Sequence, residues 1–193
     1  TAPVGWNSGG AGWTLVIAYS NATEIQRNLT VFDGSAIIKI AQPALLVPLS
    51  GFLTPPSGPV SCELGVVVYD GDRGTGGGAP TALLDSFLFK QNSNPLVGAY
   101  TNLTPNATPT LNNMFNSTIS TKGVLNAGRT PSHNNTLGFD ADIIEVPNAG
   151  NVILGNSQTS ASVKFASPQE DFMVQVVTTS ISIYNPSFAF DKS

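Results

Sequence analysis

Two aspartate pairs carry the spacing in this sequence that best suits ion or proton chemistry. Asp70 and Asp72 flank Gly71, and Asp140 and Asp142 flank Ala141. In Asp70-Gly71-Asp72-Arg73-Gly74 two oxygen ligands stand two residues apart with a glycine for the turn, as a calcium loop begins, although the distal bidentate glutamate of an EF-hand is missing. On a strand, side chains at i and i+2 point the same way, so Asp140 and Asp142 would present two carboxylates on one face. Calcium held by Asp70, Asp72, Asp140 and Asp142 is one expectation. The competing one is that Asp72 and Arg73 cap the turn and pair with nearby strand ends.

Nothing else in the chain suggests catalysis. The single histidine, His133, lies in the turn-like Thr130-Pro131-Ser132-His133-Asn134-Asn135. A histidine-based zinc site needs two or three such ligands, and no serine stands in a nucleophile-elbow sequence. The single cysteine, Cys62, excludes an internal disulfide and any multi-cysteine metal centre. With no basic neighbour in Val60-Ser61-Cys62-Glu63-Leu64 it reads as a small buried hydrophobe. The expectation is a non-enzyme with no catalytic residues.

A third chemistry is carbohydrate attachment. Asn-x-Ser/Thr occurs at Asn21, Asn28, Asn102, Asn106, Asn116 and Asn134, never with proline in the middle. Chance alone would supply about two or three in a chain so rich in these residues. The excess points to an exported chain carrying N-linked glycans. The start, Thr1-Ala2-Pro3-Val4-Gly5, lacks the basic and apolar regions of a signal peptide, so a processed form is expected.

The elements that must position these residues are strands. The 193 residues are 41% hydrophobic but only 10% charged, and 17 Asn, 18 Thr and 19 Ser provide the polarity that charge does not. A net charge of −4 speaks against nucleic acid and anionic membranes as partners, and no apolar run is long enough to span a bilayer. Apolar residues alternate with period two in Trp13-Thr14-Leu15-Val16-Ile17-Ala18-Tyr19, which predicts a strand with Trp13 in the core. Further strands are predicted over 28–33 (ending at an Asp33-Gly34 turn), 35–40, 44–49, 60–69, 114–121, 137–146, 151–154, 160–166 and 172–184. In the last of these the alternation changes phase near Val176, which calls for a bulge or a change of sheet. A helical turn is expected only over 80–85, and residues 91–113 form a long Asn/Thr/Pro-rich loop. The fold class that follows is all-β, an antiparallel β-sandwich of jelly-roll kind: an extension over 1–12, one domain over 13–184 and a tail over 185–193.

Six collinear segments also carry a family resemblance. Gly12-Trp13-Thr14-Leu15-Val16-Ile17-Ala18-Tyr19, Arg27-Asn28-Leu29-Thr30-Val31-Phe32-Asp33-Gly34, Gly51-Phe52-Leu53-Thr54-Pro55-Pro56-Ser57-Gly58-Pro59-Val60, Val66-Val67-Val68-Tyr69-Asp70-Gly71-Asp72-Arg73-Gly74, Phe115-Asn116-Ser117-Thr118-Ile119-Ser120 and Thr136-Leu137-Gly138-Phe139-Asp140-Ala141-Asp142-Ile143 span roughly residues 10–184. Together they resemble a β-rich domain of unknown function in large exported adhesin-like surface proteins of bacteria and archaea, which often carry immunoglobulin-like repeats downstream. The resemblance implies an exported surface domain without enzymatic activity and supplies no site residues.

The resemblance implies more strands ahead of the Gly-Trp-Thr-Leu-Val segment, whereas about a dozen residues precede it in this sequence. A sheet left open along one edge invites strand addition from another chain. The expectation is therefore a self-assembling extracellular subunit of a filament or surface layer with an adhesive role. Its donor would be residues 1–7, or residues 184–190 with Tyr184, Phe188 and Phe190 as anchors, and its partners would be copies of itself, surface glycans or other cells. A carbohydrate-binding β-sandwich and a jelly-roll capsid protein are the alternatives.

Overall fold

The computed structural model describes residues 12–40, 42–69, 71, 85–91, 98–103, 113–168 and 171–186. Among these residues ten strands are present: β1 (Arg27–Ile38), β2 (Leu45–Ser50), β3 (Cys62–Tyr69), β4 (Ser86–Gln91), β5 (Thr101–Asn102), β6 (Ile119–Thr121), β7 (Val124–Leu125), β8 (Phe139–Glu145), β9 (Ser160–Ala166) and β10 (Phe172–Ser182). They form a six-stranded sheet, β1-β10-β3-β8-β6-β7, and a four-stranded sheet, β2-β9-β4-β5. The pairs β1 with β10, β2 with β9, β3 with β8 and β4 with β5 are all antiparallel and nest inside one another along the chain. That nesting is a single long hairpin folded over on itself, so the all-β sandwich has jelly-roll order.

The core lies between the sheets because each strand turns one set of alternate residues inward. Cys62, Leu64, Val66 and Val68 of β3 meet Phe87 and Phe89 of β4 and Val163 and Phe165 of β9 there. Phe115, from the loop before β6, fills the space between, with ring centroids 4.9 Å from Phe172 and 6.3 Å from Phe165. The phase change in β10 is a bulge: the register shifts between Val174 and Val176 against β3. Phe172, Val174, Val177 and Ile181 thereby all face the core, while Met173 and Val176 join Val67 and Tyr69 in a second cluster.

Three expectations are corrected. Asp33-Gly34 is no turn: β1 runs through it with a register shift between Asp33 and Ala36, so the predicted strands over 28–33 and 35–40 are one. Residues 151–154 form the end of a short 3-10 turn (Ala149–Asn151) and bends. Residues 13–19 form no strand, because no ladder among the described residues reaches them. The helical turn expected over 80–85 lies outside the described residues except at Asp85, as does most of the loop over 91–113.

The two sides of the sandwich are edged differently. One ends in the two-residue strands β5 and β7, too short to template another strand. The other ends in the six-residue β2, interrupted by Pro48, and in the twelve-residue β1. The bulge blunts the second half of β1, whereas the half from Arg27 to Asp33 contains neither proline nor lysine.

Candidate functional site: an unladdered arm beside a groove

The aspartates act inside the fold. Asp140 is fully buried, and its carboxylate accepts three backbone N–H groups from the loop before β6: Asn116 (2.9 Å) and Thr118 (3.0 Å) on Oδ1, and Ser117 (3.0 Å) on Oδ2. Ser117 takes φ 57°, which turns successive N–H groups toward one anion. A Cβ on Gly71 would lie 2.0 Å from Asp140 Oδ2, so only glycine lets that backbone approach. Asp142 shares the inward face as its spacing implied, with Oδ1 accepting from the Ser120 N–H at 3.1 Å and the Ser120 hydroxyl at 2.5 Å. Its Oδ2 is buried without a hydrogen-bond partner. Burial pushes Asp140 up to about 7 against the pull of its N–H donors. Burial, with Asp140 as a charged neighbour, pushes Asp142 up to about 8. These contacts fasten the 113–120 segment to β8. Among the described residues no three His, Cys, Asp or Glu side chains are grouped as a metal site would require, and Asp70 and Asp72 lie outside them.

His133 is exposed, and its carbonyl, like that of Pro131, accepts a hydrogen bond from Arg129. Cys62 is sealed in the core, where burial raises its thiol to about 12 and leaves it inert. Of the sequon asparagines, Asn21 and Asn134 are exposed, whereas Asn28 and Asn102 are half-buried. Asn28 donates to the Gly51 carbonyl at 3.2 Å. Asn116 is only 2% exposed, so a glycan there is incompatible with this packing, and Asn106 lies outside the described residues. Tyr184 is half-exposed and its N–H donates to Leu53 at 2.8 Å, while Phe188 and Phe190 lie outside the described residues.

The feature that sequence reading placed wrongly is the segment ahead of β1. Gly12 sits against Tyr69 at one end of β3, so closely that a Cβ there would lie 2.7 Å from the phenol oxygen. Residues 16–19 line the same groove as Glu63, Leu64 and Gly65 of its other end. An arm that covers most of a strand's length in so few residues is extended. Yet its backbone joins no ladder among the described residues. Trp13, Leu15, Ile17 and Tyr19 are 83%, 70%, 71% and 78% exposed, which overturns the expectation that Trp13 is core. The alternation itself was legible; that its apolar side faces outward was not, because the pattern cannot say which face is covered.

Between this arm and β1 runs a groove of about 630 Å³. The arm lines it with residues 16–19, β1 with Leu29, Thr30 and Val31, and the outer face of the sheet with Gly65, Ile143 and Thr178. Leu29 and Val31 are each half exposed. Gly65 keeps the groove deep, since a Cβ there would meet Thr178 Oγ1 at 2.4 Å. Glu24, Arg27 and Glu63 also line it and supply its charge, and Ser20, Asn21, Gln26, Thr179 and Ser180 make about half of its lining polar. Comparison with protein-family models, with curated proteins and with solved structures finds no match to this chain.

Proposed function

We propose that this protein is a non-enzymatic, exported structural subunit that assembles with copies of itself into an extracellular filament or surface layer with an adhesive role. The free edge of β1, beside the groove, accepts an extended segment from a terminus of a neighbouring copy, residues 1–7 or 184–190. One observation carries the reading: a groove of mixed polarity walled by Leu29 and Val31, an arm without ladder partners among the described residues and the unblunted half of β1 coincide on the same side of the sandwich. An incoming strand at the free edge of β1 would satisfy backbone groups there and set alternate side chains beside Leu29 and Val31. Because donor and acceptor are different surfaces, such contacts repeat head to tail and give open fibres.

Electron microscopy of the purified chain, with Leu29→Lys/Val31→Lys and truncations lacking residues 1–11 or 185–193, tests this. Fibres from the wild type, their loss in the groove variant and in one truncation, and an unchanged melting temperature in each are the expected results. A monodisperse monomer at high concentration, or fibres indifferent to all three changes, overturns the reading.

The carbohydrate-binding alternative has one observation in its favour, the exposed rings of Trp13 and Tyr19. Leu15 and Ile17 between them make the stripe continuous and aliphatic, which suits a protein surface better than a polar sugar. Binding on a glycan array that is lost in Trp13→Ala would reverse that preference. Jelly-roll order by itself does not separate these functions or the capsid alternative.

A further inference from the structure

A strand added at the free edge of β1 leaves the arm exposed, including Ile17 and Tyr19, which also line the groove. The arm's four large side chains follow a pattern that reads nearly the same in both directions: aromatic, aliphatic, aliphatic, aromatic, at Trp13, Leu15, Ile17 and Tyr19, with Val16 at the midpoint. We infer that this stripe is a second, two-fold interface, in which the arms of two copies pack face to face and antiparallel. Trp13 of one copy lies over Tyr19 of the other, and Leu15 over Ile17.

An isologous contact requires a patch complementary to itself after a two-fold rotation, and a stripe symmetric about Val16 meets that condition. At exposures of 70–83% the four side chains offer on the order of 500 Å² of apolar surface per copy, at the upper end of what a monomer leaves uncovered. Two copies would bury ~1,000 Å², the lower bound of a specific interface. No lysine, arginine, aspartate or glutamate lies within residues 12–23, so no like charges oppose the approach. A contact this small holds weakly between single subunits and firmly when repeated along a polymer. The inference rests on the self-assembly reading for that repetition, and it assigns the arm to joining fibres side by side while the edge of β1 joins subunits end to end.

Cysteine pairing reads the register directly. Cys62 is buried and inert, so the wild type is a clean background. Leu15→Cys and Ile17→Cys both lie on exposed positions, and their melting temperatures should match the wild type. Mixed and oxidised, the two variants should give the Leu15→Cys/Ile17→Cys heterodimer in clear excess over its statistical share. Leu15→Glu/Ile17→Glu should leave single fibres where the wild type gives paired or bundled ones. Homodimers equal to or exceeding the heterodimer overturn the antiparallel register. Bundling unchanged in the double glutamate variant overturns the interface. A Leu15→Cys thiol shielded from a soluble maleimide in monomeric protein does so too, because the chain's own termini then cover the stripe, as does liposome binding that depends on it. Heterodimers without fibres would sustain this contact and sink end-to-end assembly; single fibres without heterodimers would do the reverse.

Discussion

Asp140 shows how a residue chosen for its charge can serve the fold. Its three N–H partners would be left buried and unpaired in Asp140→Ala, so that change should cost about 3 kcal/mol and raise amide exchange across residues 113–118, measured by thermal melting and hydrogen exchange. Asp140 and Asp142 both bind a proton more tightly in the folded chain than at the ordinary carboxylate value of 3.8. Their contribution to stability is therefore fully present below about pH 4 and is lost as the pH rises through about 7 and 8. A tenfold difference in proton affinity between the folded and unfolded chain is worth about 1.4 kcal/mol, so the melting temperature should fall between pH 5 and pH 8. Asp142→Asn should flatten that slope and melt higher than the wild type at pH 8; a melting temperature that climbs with pH would contradict this assignment. That the two carboxylates share one face was legible from their spacing. The cradle was not, because it depends on the positive φ of Ser117, more than twenty residues away in the chain.

At the scale of elements, strands buried on both sides or strictly alternating announce themselves. Residues 160–166 coincide with β9, and the phase change in β10 marks its bulge. Deleting Gln175, the extra residue at that shift, would leave Val174 and Val177 inward and Val176 outward in plain alternation against β3, so the chain should still fold with the bulge gone, as read by circular dichroism. Asp33-Gly34 misled because a dipeptide that suits a hairpin turn also suits a bulge, and only β10 alongside decides between them. The arm misled for a related reason. A strand is defined by its partner, and over residues 13–19 no partner is present among the described residues. Substitutions on the groove wall, such as Leu29→Lys, touch half-exposed positions and should change stability by less than about 0.5 kcal/mol.

For the whole molecule, the scarcity of charge acquires a structural meaning. The ion pairs found among the described residues centre on Lys122, with Glu63 at 2.8 Å and Glu145 at 3.8 Å. Amides take over the task of joining loops. Asn148 donates to the carbonyls of Val60 and Leu154 and accepts from Ile153 and Leu154, while Asn151 accepts from the Val60 N–H and Asn156 donates to Pro55 and Gly58. These side chains mimic a strand partner for backbone that has none, which is why composition alone made the fold class legible but not the position of the exposed surface. The arm and the first half of β1 hold the longest run of exposed apolar side chains among the described residues, while Val124, Leu137 and Val152 are exposed singly elsewhere. The most direct test of self-assembly is sedimentation and electron microscopy of the purified chain at rising concentration beside Leu29→Lys/Val31→Lys. The account predicts fibres from the wild type and folded monomers from the variant; a wild type that stays monomeric at every concentration would contradict it.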